Sequence, residues 1–181
     1  MAEKKGIYVR NEFIETHSAT HSGYYDVVCS FQVLEHVPEP GSFIDACIAC
    51  LKPGGILVLS VPSDDSFLSI AENAILNMPP HHLTRWTDKA LMWVIEQHGL
   101  EQIALEHDTL ADIHVEWYSN EIVKAALNKM FRIKPKSLDI SFTHRLFNLL
   151  CTWLSPSFAK VLTLTSLRPV GHSVTLVARK L

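Results

Sequence analysis

Two apolar runs joined by a segment of helix length place the strongest constraint on this fold. The runs at 26–29 (DVVC) and 56–61 (ILVLSV) lack polar alternation, which is typical of strands buried on both faces of a parallel sheet. Between them, Ser42 is a candidate N-cap, and the Lys-Pro-Gly-Gly sequence at 52–55 is a helix-ending signal. Because parallel strands require a crossover connection, the pattern predicts a βαβ unit of an α/β fold.

The carboxyl ends of these two strands are the expected place for a functional site. Ligands of open α/β sheets bind in the crevice beyond the carboxyl ends of the strands. Here those ends correspond to residues 30–36 and 62–65. The sequence therefore predicts a crevice bordered by these two short segments.

The region that follows predicts further helices and strands. Residues 67–78 form a candidate short helix, and Thr87 is a candidate N-cap for a helix at 88–98 that ends at Gly99. Strands are expected at 100–107 and 172–179. Between those strands we expect a helix at 118–132 and two apolar segments, 142–154 and 156–167, separated by Ser155-Pro156. The helix at 118–132 is expected to be apolar on one side, through Ile122, Val123, Ala126, Leu127 and Met130.

Composition indicates a globular protein. The 181 residues are 48% hydrophobic and 19% charged, which suits one domain with a sizeable core. Cys47 and Cys50 form a C-x-x-C pair within the candidate helix, where buried structural thiols are expected rather than a redox or zinc site. No apolar signal segment occupies residues 1–21, so the expected location is cytoplasmic.

Charge is unevenly distributed along the chain. Residues 1–123 contain 18 acidic and 6 basic side chains, whereas residues 124–181 contain 1 acidic and 10 basic side chains. The basic region either packs against the acidic body or meets an anionic partner. The segment 142–167 is accordingly a candidate lid, a part of the core, or a peripheral membrane contact in which the nearby Arg145, Lys160 and Arg168 would suit anionic headgroups.

The runs VLEHVPEP at 33–40 and LKPGGILVLSVP at 51–62 carry a family resemblance. In this order and spacing they resemble class I S-adenosylmethionine-dependent methyltransferases, in the small-molecule branch that includes the ubiquinone-biosynthesis O-methyltransferases. The run PPHHLTRWT at 79–87 strengthens the resemblance, which covers roughly residues 6–108. It implies a Rossmann-like α/β sheet, mostly parallel with an antiparallel C-terminal strand, S-adenosylmethionine as the cofactor, and a small-molecule methyl acceptor.

The resemblance also implies roles for individual residues. The cofactor would be contacted by Asn11 and Glu12 at the adenine end, by Phe31 at the methionine end, and by Gln32 and Glu35 in the loop after the first strand.

For the acceptor, His36 and His82 are candidate general bases, while His81 and Arg85 are candidate substrate-binding residues. Histidine suits a base because its pKa lies near neutrality. The adjacent histidines also suggest a metal site with Asp64 or Asp65, but no helical H-x-x-x-H spacing supports one, so no metal site is predicted.

One departure from the family pattern affects the expected activity. The chain has 7 glycines but no G-x-G, the element with which the family approaches its cofactor closely. Residues 6–9 resemble the family's third strand, so the first βα units are expected to be absent. We therefore describe 1–181 as a single partial methyltransferase domain in which 109–170 is a helical insertion or lid.

Three consequences follow from this expectation. The chain alone is expected to bind the cofactor weakly, and the exposed sheet edge invites self-association or a partner chain. The alternative function is a non-catalytic or partner-dependent binding module derived from a methyltransferase.

A nucleic-acid substrate is not favoured, because no N-P-P-Y-type motif follows the strand at 26–29. A dinucleotide oxidoreductase is not favoured either, because no G-x-G-x-x-G is present.

Overall fold

The computed structural model describes residues 6, 8–134, 136, 138–162, 164 and 168–181. Its strands and α-helices follow one another in this order: α1 (Ile14–Ser18), β1 (Tyr25–Phe31), α2 (Pro40–Cys50), β2 (Leu51–Pro62), α3 (Asp88–His98), β3 (Leu100–Thr109), α4 (Val115–Phe131), α5 (Phe142–Val161) and β4 (Val170–Lys180). Short 3₁₀ turns cover Leu34–His36, Phe67–Ile70, Ile75–Asn77 and Asp112–His114. The segment 67–78, expected as one helix, is thus two 3₁₀ turns with an irregular stretch between them.

The four strands form one mixed sheet in the order β1-β2-β4-β3. Strand β1 is parallel to β2, while β4 is antiparallel to both β2 and β3. Strands β1, β2 and β3 consequently share one direction and β4 opposes them. The predicted Rossmann-like α/β arrangement, with an antiparallel C-terminal strand, is confirmed.

The core is built around the central strands β2 and β4. Leu57, Leu59 and Leu176 are completely buried, and Ile44 of α2 and Leu91 of α3 belong to the same apolar cluster. Each such side chain stabilises the fold by about 1.5–3 kcal/mol relative to leaving it exposed. The continuous apolar run at 56–61 is therefore explained by burial of β2 on both faces.

An irregularity near the start of β2, where its pairing with β1 shifts register, depends on two adjacent glycines. Gly54 has a φ of +78°, a left-handed conformation that favours glycine. A Cβ on Gly55 would lie 2.9 Å from the carbonyl oxygen of Lys52 and 3.2 Å from that of Asp26. Both positions thus require glycine, one for its φ and the other for the close approach of β1.

Helix termini show which capping predictions hold. The Thr87 side chain accepts a hydrogen bond from the Ala90 amide at 3.2 Å, and Gly99 ends α3 with a φ of +59°. Both predictions are confirmed. The prediction for Ser42 is wrong, because α2 begins at Pro40 and the Ser42 hydroxyl donates to the Glu39 carbonyl at 3.0 Å.

Strand β1 departs from the prediction that it would be buried on both faces. Val27 and Phe31 are 51% and 59% exposed, and Cys29 is exposed as well. Among the described residues β1 pairs only with β2, so it is an edge strand. A strand expected at 6–9 is likewise absent at Tyr8 and Val9, which are exposed and unpaired in the sheet; Ile7 lies outside the described residues.

Helix α4 is present, but the apolar side expected from the sequence is not its most buried side. Ala126 and Met130 are exposed, whereas polar residues of the opposite side, including Glu121, Lys124 and Asn128, are buried. These polar groups satisfy one another and their neighbours by hydrogen bonds. Mutual pairing removes the penalty that normally keeps such side chains at the surface.

Helix α5 runs without a break through the predicted separation at Ser155-Pro156. Proline removes the amide that would bond to the carbonyl four residues earlier, that of Thr152. The Ser155 hydroxyl donates to this carbonyl at 3.2 Å, so the acceptor keeps a partner. The end of the predicted segment, at 163 and 165–167, lies outside the described residues.

Two remaining expectations concern the cysteines and the membrane. Cys47 and Cys50 are buried free thiols, and burial raises the pKa of Cys47 to about 12, as expected of inert structural cysteines. None of the helices in the described ranges combines the length and the apolar character needed to cross a bilayer.

Candidate functional site

A cavity of about 460 Å³ opens at the carboxyl edge of the sheet. It lies where β1 and β2 end and where the antiparallel strand β4 begins, which is the crevice position typical of open α/β sheets. Its walls include Gln32, Pro62, Leu68, His82, Trp117 and His172. The expected location of the site is therefore occupied by a cavity of small-molecule size.

Gln32 leaves β1 in an unusual backbone conformation. Its φ is +53°, in the left-handed region that few residues other than glycine adopt. Its amide donates to the Ser60 carbonyl at 2.8 Å, which holds the conformation in place. Non-glycine residues with left-handed backbone conformations cluster at functional sites, which supports including the turn after β1 in the candidate site.

The 3₁₀ turn Leu34–His36 is attached to the segment that contains the paired histidines. The carbonyl oxygen of Glu35 accepts hydrogen bonds from the amides of Leu83 and Thr84, at 2.8 and 3.2 Å. The Glu35 side chain is 1% exposed, and burial raises the pKa of its carboxyl group. This backbone contact places Glu35 beside residues 48 and 49 positions further along the chain.

As a result, His36, His81 and His82 form a cluster. One ring nitrogen of each lies within 4.8 Å of the corresponding atoms of the other two. The ring of His36 is 4.9 Å from that of His81 and 4.8 Å from that of His82, centroid to centroid. Burial lowers the pKa of His82, and the charges of His36, His81 and Arg85 lower it further.

Arg85 lies beside the cluster but outside the 460 Å³ cavity. Its guanidinium is 3.6 Å from the Asp64 carboxylate and donates to the Asn77 carbonyl at 3.4 Å. It instead lines a neighbouring cavity of about 410 Å³, together with Glu72 and Asn128. A role in binding an acidic acceptor group would require Arg85 to exchange one of these contacts.

The residues predicted for the adenine end lie on an exposed segment before α1. Asn11 is exposed, and the Glu12 carboxylate accepts a hydrogen bond of 2.7 Å from His17, which lowers the pKa of Glu12. Phe31 is also exposed and does not line the 460 Å³ cavity. Of the nine predicted site residues, the cavity is lined by Gln32 and His82.

A sequence match identifies the family to which the chain belongs. A family model described as a methyltransferase domain matches residues 2–105. The chain belongs to this methyltransferase family. The match ends near β3, so α4 and α5 lie outside the part of the chain that defines membership.

Relatives of this methyltransferase-family chain are ubiquinone biosynthesis O-methyltransferases. The protein of Escherichia fergusonii is 34% identical over 130 residues, a match that covers 66% of this chain and 52% of the relative. That of Sodalis glossinidius is 34% identical over 110 residues, covering 55% of this chain and 44% of the relative. The chain thus spans about half the length of these relatives.

Solved structures confirm the fold at low sequence identity. A SAM-dependent methyltransferase from Thermotoga maritima has a TM-score of 0.56 at 16% identity, covering 99% of this chain and 67% of that one. The [4+2]-cyclase SpnF has a TM-score of 0.51 at 16% identity, covering 99% and 60%. Because one of these similar folds is named for a different reaction, the fold alone does not identify the chemistry.

Trp117 and His172 line the cavity of this methyltransferase-family chain but were not singled out in the sequence. The His172 ring packs against that of His114 at 4.3 Å, and burial, together with His114, lowers the pKa of His172. A usable signal was present for His172. It lies near the start of the final strand, and a strand antiparallel to its neighbours starts at the edge of the sheet where those neighbours end. No comparable local pattern marks Trp117.

Proposed function

We propose that the protein takes part in methyl transfer from S-adenosylmethionine to a small-molecule acceptor, with the 460 Å³ cavity as the site. The observation that carries this proposal is the position of the cavity, at the carboxyl ends of β1 and β2 in a methyltransferase-family sheet. Gln32 and His82 face it from opposite segments of the chain. Acceptor and methyl donor would meet there, partly shielded from water.

The residues around the cavity fit one end of the cofactor better than the other. When bound, S-adenosylmethionine supplies an electrophilic methyl group on a sulfonium. The left-handed turn at Gln32 exposes backbone close to the cavity, and the buried Glu35 carboxylate lies in the same turn. We propose that this turn, with Phe31, holds the methionine end.

The adenine end is less well formed in this chain. Glu12 is engaged by His17 and Arg10, and Asn11 is exposed, so both would need to turn toward the ligand. The sequence also lacks G-x-G. We therefore propose that Asn11 and Glu12 contact adenine weakly and that the affinity of this chain alone is low.

We propose an acid–base role for histidines at the acceptor side. His82 lines the cavity, and its lowered pKa keeps the imidazole neutral and able to accept a proton near neutral pH. His36 lies 4.8 Å away, centroid to centroid, and is the second candidate. His81 and Arg85 would bind polar groups of the acceptor at the exposed side of the cluster.

The region 109–170 is proposed to act as a lid on this site. Trp117, in α4, lines the cavity and packs edge-on against Phe67 at 4.9 Å. A cover of this kind would exclude water and shape the acceptor pocket. Acceptor specificity would then depend on α4 rather than on the segments at 33–40 and 79–87 that carry the family resemblance.

Calorimetric titration of the purified chain with S-adenosylmethionine tests the cofactor proposal. We expect binding that is weaker than micromolar and is weakened further by Gln32→Pro, which cannot adopt a positive φ. Thr109→Ser, which does not line the cavity, is the control. Micromolar binding would contradict the expected low affinity, and no heat at millimolar ligand would contradict cofactor binding altogether.

A second proposal concerns the open edge of β1. Unpaired strand edges promote association with other chains, and Val27 and Phe31 add exposed apolar surface there. We propose that this edge pairs with a second polypeptide or a second copy. Size-exclusion chromatography with light scattering tests this, since a strict monomer at high concentration would contradict self-association.

A third proposal concerns the exposed side of α5. Apolar residues recur along it at helical spacing: Leu146, Leu149, Leu150, Trp153, Leu154, Phe158 and Val161. Arg145 is exposed at one end of this stripe. We propose that the stripe makes peripheral contact with anionic membranes.

Sedimentation with anionic vesicles tests the membrane proposal. Trp153 is 78% exposed on α5, and Trp93, 57% exposed on α3, provides a matched comparison. We expect Trp153→Ser to reduce vesicle binding and Trp93→Ser to leave it unchanged. Equal losses in the two variants would contradict a contact specific to α5.

A further inference from the structure

Three imidazoles converge on one small volume at the edge of the cavity. Ring nitrogens of His36, His81 and His82 lie within 4.8 Å of one another, although the residues come from two separate segments. The hydrogen bonds from Leu83 and Thr84 to the Glu35 carbonyl fix the distance between those segments. The cluster is therefore a product of the fold rather than of neighbouring positions in the chain.

Hydrogen bonds determine which ring nitrogens are free. His36 donates from Nδ1 to the carbonyl oxygen of His81 at 2.7 Å, and His82 donates from Nδ1 to Oδ1 of Asn77 at 2.9 Å. Each ring therefore keeps its proton on Nδ1 and presents the lone pair on Nε2. Metal-binding histidines are oriented in this way, with the second nitrogen held by an oxygen acceptor.

A buried carboxylate lies next to the same nitrogens. Glu35 Oε1 is 3.7 Å from His36 Nε2, and Glu35 Oε2 is buried without a hydrogen-bond partner within the described ranges. An isolated buried carboxylate is costly unless a positive charge compensates it. A cation held by the histidines would supply that compensation.

The distances allow a metal after a small adjustment. Tetrahedral zinc with bonds of about 2.0–2.1 Å places its nitrogen ligands roughly 3.3 Å apart. The nitrogens, at most 4.8 Å apart, would close by at most about 1.5 Å. His81 is exposed, and its ring makes no hydrogen bond in the part of the chain that the structure describes, so it can rotate to provide this closure.

We propose that His36, His81 and His82 bind a divalent transition metal, with Zn²⁺ the best match to three nitrogen ligands and an open fourth position. Because His82 also lines the 460 Å³ cavity, a metal held by the three histidines would lie at the border of that cavity. The nearby Arg85 is engaged by Asp64, which reduces its repulsion of a cation.

This inference assigns the histidines a role different from the general base. A bound metal would occupy the nitrogen lone pairs with which a histidine base accepts a proton. Activation would then come from the metal, which would lower the pKa of a bound hydroxyl group or water. It thereby deepens the proposed methyl transfer by giving another means of acceptor activation. Metal binding itself does not rest on that function.

Titration of the 181-residue protein with Co²⁺ tests the site, after chelator treatment and dialysis. We expect one Co²⁺ per chain, visible absorption typical of a nitrogen-ligated ion, and displacement by one equivalent of Zn²⁺. His81→Ala removes the exposed ligand with no loss of a ring hydrogen bond and should weaken binding at least about tenfold. His98→Ala, at the end of α3, should bind as the unaltered protein does.

Several results would overturn the inference. They are the absence of Co²⁺ absorption in the unaltered protein, and equal affinities of His81→Ala and His98→Ala. His82→Ala provides a second independent test, since this substitution must also weaken Co²⁺ binding. Because the titration contains neither S-adenosylmethionine nor acceptor, its outcome is separate from that of the methyl-transfer experiments.

Discussion

Lys124 donates a hydrogen bond of 2.9 Å to Glu121 one turn earlier in α4, and both side chains are buried. The other carboxylate oxygen of Glu121 accepts from the amide of Glu72 at 3.2 Å. Asn128 donates to Glu72 at 2.8 Å. Through these contacts a polar network fixes α4 against the loop that borders the candidate site.

Removal of the cation from this network should destabilise the protein strongly. Lys124→Met leaves Glu121 buried without its partner, which typically costs about 3–5 kcal/mol of unfolding free energy. Lys129→Met, on the exposed side of the same helix, is the control and should change little. Denaturant unfolding measures both, and similar stabilities of the two variants would show that the ion pair contributes nothing.

Two glycines, Gly55 near the start of β2 and Gly41 in α2, give predictions of opposite sign. Gly55→Ala places a methyl group 2.9 Å from the Lys52 carbonyl and should cost about 1–3 kcal/mol of stability. Gly41→Ala, in α2 with no atom within 4 Å of the new Cβ, should stabilise by about 0.5–1 kcal/mol. Thermal or denaturant unfolding of both variants checks the signs, and an unchanged Gly55→Ala variant would contradict the close approach.

The sequence predicts the fold best where a local signal determines the structure. Thr87 and Gly99 cap α3 as expected because capping depends on residues within one turn. The burial of β1 was predicted wrongly because exposure of an edge strand depends on which strands are its neighbours. The burial of the polar side of α4 was not predictable for the related reason that Glu121 and Lys124 find partners only in the folded chain.

The candidate site also combines features that local sequence predicts with features that depend on tertiary contacts. Its place at the ends of β1 and β2 was predictable from strand order, and Gln32 and His82 do border the cavity. The meeting of His36 with the paired histidines was not predictable, since it depends on the contact between Glu35 and Leu83. Trp117 comes from a region where the sequence contains no recognised motif.

Continuity of α5 through its proline should depend on one hydroxyl group. Ser155→Ala leaves the Thr152 carbonyl without the donor that replaces the missing amide, at a cost of about 0.5–1.5 kcal/mol, the usual net value of one hydrogen bond. Ser157→Ala, exposed two residues later, should be nearly neutral. Far-ultraviolet circular dichroism during denaturant unfolding would measure the difference, and equal effects of the two substitutions would argue against this bond.

Stability should fall on acidification because of His172. Its pKa in the folded protein is lowered from the ordinary value of 6.5, first by burial and then by His114. A histidine with a depressed folded pKa takes up its proton more readily when unfolded. Its contribution is therefore complete above pH 6.5 and is lost as the pH falls through the folded-state value. His82, whose pKa is lowered in the same direction, adds to the slope.

The measurement is the free energy of unfolding as a function of pH for the unaltered protein and for His172→Gln. We expect the variant to lose less stability than the unaltered protein as the pH decreases below 6.5, with the remaining slope due partly to His82. The double variant with His82→Gln should be flatter still. Parallel curves for all three proteins would mean that the folded protein does not lower the pKa of either imidazole. The surroundings of His172 would then be more hydrated than its ring contact with His114 indicates.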